Sequence, residues 1–201
     1  MRVMLDGHCV TEEADSLREA LGAASERASQ QGRLILEVNA DGTPLAPEAL
    51  ESPELHTDKI TELALVSAEP RAFGLNILHE SAEAIEQAMI GQVEAADLIE
   101  KGDPTSAFKS LSGSLALWDM VQQAVARTQE FAPPRDESIG AEVDQRVAEL
   151  RDQLQSVRAS VETQDWAALG DTLRYDLAEL GGAWSDVLRR WAGGLSSPGG
   201  H

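Results

Sequence analysis

GDPTSAFKSLSGSLALWDMVQQAV, residues 102–125, decides the fold of most of this chain. Gly102 suits the residue that closes one helix, Asp103 can cap the next, and Pro104 fits its first turn. Past that break, Phe108, Leu111, Leu115, Trp118, Val121 and Val125 recur at steps of three and four, the spacing of one helix face. Pro133-Pro134 stops the run. Upstream, a helical pattern opens at Pro70 and continues from Arg71 to Lys101. Downstream, Ile139, Val143, Val147, Leu150, Leu154, Val157 and Val161 form a third stripe. After a break at Thr163–Asp165, a fourth stripe holds Trp166, Leu169, Leu173, Leu177, Leu180, Trp184, Leu188 and Trp191. Four apolar seams with short connections predict an up-down-up-down four-helix bundle over residues 70–192. Asp103 and Asp165 each follow such a break, as in two stacked helical hairpins, although apolar heptads match one another easily. Residues 193–201, GGLSSPGGH, read as a flexible tail.

Residues 1–69 follow another grammar. Arg2–Leu5, the turn pair Asp6-Gly7 and His8–Val10 suggest a short hairpin or one bent strand. Thr11 is a candidate N-cap, with Glu12, Glu13 and Asp15 in the first turn, where carboxylates favour the dipole. Ala14, Leu17, Leu21, Ala24 and Ala28 then mark a helix that Gly32 ends. Leu34–Val38, halted by Asp41-Gly42, and Ile60–Val66 read as strands. Pro44, Pro47 and Pro53 make the intervening segment a loop, with one short turn around Pro47–Leu50. The expectation is an α+β chain: a small β-α-β-β module, too small to bury much surface alone, followed by the bundle.

Composition narrows the function classes. The 201 residues carry 35 acids against 16 bases, a formal charge of −19, which argues against binding nucleic acid or anionic lipid. The one cysteine, Cys9, allows no internal disulfide. The start resembles no signal peptide, and no run of about 18 apolar residues occurs, so a cytoplasmic protein without a membrane partner is expected.

Motifs for chemistry are scarce. His8 beside Cys9 offers two metal ligands where three or four are needed. His56 lies in the proline-rich loop and His201 in the tail. No histidine has a Glu three positions before it, as carboxylate-bridged di-metal bundles require. Phosphate-binding loops and a nucleophile elbow are absent. His79 lies on a bundle helix, as in histidine phosphotransfer domains, but Glu80 and Glu83 beside it oppose a phosphoryl group. No enzyme activity, cofactor or metal is therefore expected.

All four tryptophans fall in the helical part, three of them in its last helix. They can fill the core, or some can line a groove for an amphipathic helix. Trp184, Leu188 and Trp191, together with Trp118 and Trp166, are the candidate partner-binding residues, and Tyr175 falls on the polar flank. The breaks Ala95–Asp103 and Thr163–Trp166, and the later Ala183-Trp184-Ser185-Asp186, resemble the flagellin-export chaperone family over residues 77–192. The resemblance implies a cytoplasmic chaperone that docks a helical client, although that family has no preceding β module and starts rich in tyrosine. The expected function is thus a non-enzymatic, chaperone- or adaptor-like protein-binding module. The alternatives are a phosphorelay or regulatory bundle acting through His79, and a homodimeric structural protein.

Overall fold

A computed structural model describes residues 1–55 and 59–196. It confirms an α+β chain, divided into two compact units, Met1–Phe73 and Gly74 onward. The division falls inside the first turn of a helix that starts at Pro70. His56 and His201 lie outside the described residues.

The first unit contains strands β1 (Arg2–Leu5), β2 (His8–Thr11), β3 (Leu34–Ala40), β4 (Thr43–Pro44) and β5 (Glu62–Ala68). They form one mixed sheet in the order β2-β1-β5-β3-β4. Only β1 and β5 run parallel; the other pairs are antiparallel. Helix α1 (Leu17–Gln30) packs on one face, its Leu17, Ala20, Ala24 and Ala28 forming one core with Val3, Leu5, Leu63 and Leu65. The small alanine side chains let the helix approach the sheet closely. Of the two arrangements expected at the start, the hairpin forms, and the short helix α2 (Pro47–Glu51) makes the turn expected near Pro47. Strand β4, two residues long, lies in the segment expected as a loop.

The start of α1 also differs from expectation. Thr11 belongs to β2, and the cap is Ser16, whose hydroxyl accepts the Glu19 amide at 3.2 Å while the Glu19 carboxylate accepts the Asp15 amide at 2.9 Å. This reciprocal pair outcompetes the acidic run before it. Residues 12–15, ahead of the cap, stay outside the helix, and Met1 and Ala14 exchange two backbone hydrogen bonds.

Both Asp-Gly pairs make turns with two left-handed residues in succession, at φ 51° and 77° for Asp6-Gly7 and 48° and 81° for Asp41-Gly42. Such turns match the twist of paired strands. Each aspartate then grips one end of the central strand β5. Asp6 accepts the Ser67 amide at 2.7 Å and the Ser67 hydroxyl at 2.5 Å. Asp41 accepts the amides of Thr61 and Glu62, the latter at 2.8 Å. Arg33 closes the first of these sites, donating to the Ser67 hydroxyl and carbonyl, both at 2.7 Å.

The second unit contains the rest of α3 (Pro70–Glu100), then α4 (Pro104–Phe131), α5 (Glu137–Thr163), α6 (Trp166–Asp171) and α7 (Leu177–Ser196). Aspartates cap three of these helices: Asp103 accepts from the Ser106 amide, Asp136 from Ser138 and Asp165 from Ala168. Gly102 and Gln164, both at positive φ, close α3 and α5. The expected fourth helix is not continuous: a π-helical turn at Thr172–Asp176 separates α6 from α7. Its far end also differs from the expected tail. Gly193 and Gly194 stay helical because Leu195, beyond them, is buried and packs near Gly74. Residues 197–201 lie outside the described residues.

All the long helices contribute to one hydrophobic core. Two glycines leave space for side chains of the neighbouring helices. A Cβ on Gly91 of α3 would sit 2.4 Å from the Ser114 hydroxyl of α4, and one on Gly181 of α7 would sit 2.6 Å from the sulfur of Met89 in α3. Among the described residues, no helix is long and apolar enough to cross a membrane.

Two outcomes follow. Trp184→Ala empties the centre of this core and is expected to lower the unfolding free energy by about 3–5 kcal/mol, read from denaturant titration. The hydrogen bonds from Ser67, its side chain first and then its backbone, lower the pKa of Asp6 below its ordinary 3.8. A carboxylate with a depressed folded-state pKa stabilises above its unfolded value, and that stability is lost as pH falls through the folded one. Asp6→Asn is therefore expected to destabilise the protein at pH 7, with the gap to wild type shrinking as titrations are repeated at increasingly acidic pH below about 4.

Candidate functional site

The structure corrects most of the expected docking surface. Trp118 is 1% exposed, and Trp184, Leu188 and Trp191 are fully enclosed. A seam position tells which side of a helix faces its neighbours, and here those neighbours close over the rings. The Trp191 indole donates to the Ala132 carbonyl at 3.1 Å, so the end of α4 covers it. Trp118 donates to the buried Gln92 side chain at 3.4 Å. These four residues build the core and present no surface to a partner.

Trp166 differs. As the first residue of α6 it follows the Asp165 cap and remains 38% exposed. Its ring meets Phe108, itself 40% exposed, edge to face with centroids 6.0 Å apart. Tyr175, within the π-helical turn, is exposed.

Phe108 opens onto a cleft that the sequence reading did not single out. Phe108, Leu111 and Leu115 of α4 face Leu154, Val157 and Val161 of α5 across a cavity of about 580 Å³. The spacing explains both walls: each trio recurs at steps of three or four, so its members share one helix face. Leu111 and Val157 form the buried floor, while Leu115, Leu154 and Val161 are half-buried. Phe108 also lines a smaller pocket of about 260 Å³ with Ile99, Gly102, Pro104 and Trp166. The two cavities thus share a wall.

Polar groups at the cleft are held in place. Arg158 donates to Glu162 at 2.7 Å, and Asp119 accepts from Gln123 at 2.8 Å. At the smaller pocket, hydrogen bonds from the Ser106 side chain and backbone hold Asp103 below the usual carboxylate range. Arg174, in the π-helical turn, pairs with Asp97 at 2.6 Å and Glu100 at 2.9 Å in the last turn of α3. There it offsets two carboxylates placed at the unfavourable negative end of a helix.

A sequence clue to this cleft exists. Of the seven apolar residues in the α5 stripe, only Val143, Leu150 and Val157 are fully buried. That helix is polar over much of its surface, so its seam is too narrow to be covered on both flanks.

The histidines assemble no comparable site. His8 is exposed, its Nδ1 3.0 Å from the Asp6 carbonyl, and Cys9 beside it is exposed. Among the described residues, no group of three or more His, Cys, Asp and Glu is placed to hold a metal ion. His79 is exposed on α3 beside exposed Glu80 and Glu83.

No family model, curated protein or solved structure matches this chain.

Acrylamide quenching separates the tryptophans. One of the four should be readily quenched, and Trp166→Phe should remove that accessible fraction while leaving the protected emission of Trp118, Trp184 and Trp191.

Proposed function

We propose that this chain is a non-enzymatic protein-binding module, chaperone- or adaptor-like and cytoplasmic, that receives an amphipathic helix of a partner in the α4–α5 cleft. The observation that carries the reading is the half-open apolar trough itself. Leu115, Leu154 and Val161 remain partly exposed above a buried floor, and two large aromatic rings stand at one end. Such a trough suits the helix-in-groove mode, in which anchors at i, i+3, i+4 and i+7 fill an apolar groove. From Phe108 to Gln122 it follows α4 for fifteen residues, roughly 21 Å at a rise of 1.5 Å per step. A ligand helix of about four turns would span it.

We also read the helical unit as the up-down-up-down four-helix bundle expected from the sequence. Contacts around the unit support this. Gly91 and Ser110 join α3 to α4 through a 2.9 Å hydrogen bond, and the cleft joins α4 to α5. Arg190 and Glu142 join α7 to α5, and Arg189 and Glu86 join α7 to α3. A bundle whose α4–α5 seam is left partly open has a natural place for one further helix. The resemblance of residues 77–192 to the flagellin-export chaperones agrees with a helical client.

Panning a library of helical peptides of about 18 residues against the full chain tests the reading. Enriched sequences should carry apolar residues at i, i+3, i+4 and i+7. Their binding should fall at least tenfold with Leu115→Asp, a partly exposed position whose substitution should leave the circular dichroism spectrum unchanged. Absence of enrichment, or binders indifferent to Leu115→Asp and Val161→Asp, would refute the cleft as the docking site. Phosphate trapped on His79, or binding seen only between copies of the chain, would favour the rival readings instead.

A further inference from the structure

Resting on that reading, we infer that the partner helix carries one large aromatic residue near one end, flanked by Lys or Arg, and that this end seats against Trp166. Two observations converge on the Trp166 end of the cleft. The first is the small pocket. Ile99, Pro104, Phe108 and Trp166 supply apolar walls, and Gly102 contributes no side chain to narrow it. Because Phe108 is a wall of both cavities, a helix lying in the larger one can insert a terminal side chain into the smaller. Anchors in such pockets are typically aromatic, and the Phe108–Trp166 pair offers both ring edges and ring faces to receive one.

The second observation is charge. The segments that adjoin the small pocket are acidic: residues 94–103 hold Glu94, Asp97, Glu100 and Asp103 against Lys101. Residues 162–171 hold Glu162, Asp165 and Asp171 against no base. Lys109, Arg174 and Arg158, the last paired with Glu162 at 2.7 Å, offset part of this excess. Asp103 and Asp165 cap helices with their carboxylates, which fixes both groups in place. Toward the other end, Arg151 balances Asp152, and the α4 side carries Asp119 beside Gln122 and Gln123. The attraction for cations is therefore concentrated where the aromatic pocket lies. A Lys or Arg beside the ligand's anchor would also come within reach of the exposed Trp166 ring, which attracts cations.

Four stapled 16-residue helical peptides, labelled for fluorescence anisotropy, test this with the full chain. The first has a leucine stripe, a Trp near one end and three Lys beside that Trp. The second moves the Lys to the far end. The third replaces the Trp by Ala. The fourth scrambles the first while keeping its composition. At 50 mM salt the first should bind at least tenfold more tightly than each of the others. Its advantage over the second should shrink at 300 mM, because the screening length is already only about 8 Å at 0.15 M. Trp166→Ala, and separately Glu162→Gln as a milder change, should reduce the first peptide's advantage without altering the melting temperature. Equal binding of the first two peptides overturns the charge placement, and equal binding of the first and third overturns the aromatic anchor, with the cleft reading intact in both cases. If the scrambled peptide binds as well as the first, or none binds, the cleft reading fails too.

Discussion

The enclosure of three indole rings governs everything else in the helical unit. Trp118, Trp184 and Trp191 are among its largest fully buried side chains, and the surrounding helices must stand far enough apart to hold them. Elsewhere a Cβ on Gly91 or Gly181 would press on the Ser114 hydroxyl or the Met89 side chain. Interiors pack at nearly crystalline density, so the enclosed rings and these small residues leave the helices little freedom in register. The α4–α5 seam, lined by smaller aliphatic residues and one phenylalanine, is the edge left partly open.

Much of this architecture was legible in the letters. The breaks at Gly102, at Pro133-Pro134 and before Trp166 carry local chemistry: a left-handed residue, a missing amide donor, a carboxylate cap. Such signals act over a few residues and need no tertiary context. Where two local signals competed, the reading failed. Thr11 with its acidic followers resembled a helix start, yet Ser16 and Glu19 bind each other's turn directly, and strand pairing claims Thr11. Gly193-Gly194 resembled a stop, yet burial of Leu195 outweighs the helix penalty of about 1 kcal/mol for each glycine.

The site was less legible than the fold, for a geometrical reason. Periodicity reports which side of a helix is apolar but not how far neighbouring helices wrap over that side. Trp184 and Phe108 both belong to the apolar stripes of their helices, and only assembly separates a sealed ring from an open one. In the sheet the corresponding information was short-range. Asp6-Gly7 and Asp41-Gly42 announced turns, but that both carboxylates would hold opposite ends of β5 depended on which strand came to lie in the middle.

The π-helical turn at Thr172–Asp176 carries a further consequence. Trp166 and Leu177 are eleven positions apart, close to three whole turns of a regular α-helix, which is why the letters place them on one stripe. A π-type turn accommodates one additional residue, equivalent to a rotation of about 100°. The segment before it is thereby dialled out of phase with the one after it. Whether an aromatic ring faces inward or outward at position 166 is thus encoded by the number of residues in a distant turn as much as by their identity, so a one-residue deletion there would rewrite the surface without touching the tryptophan.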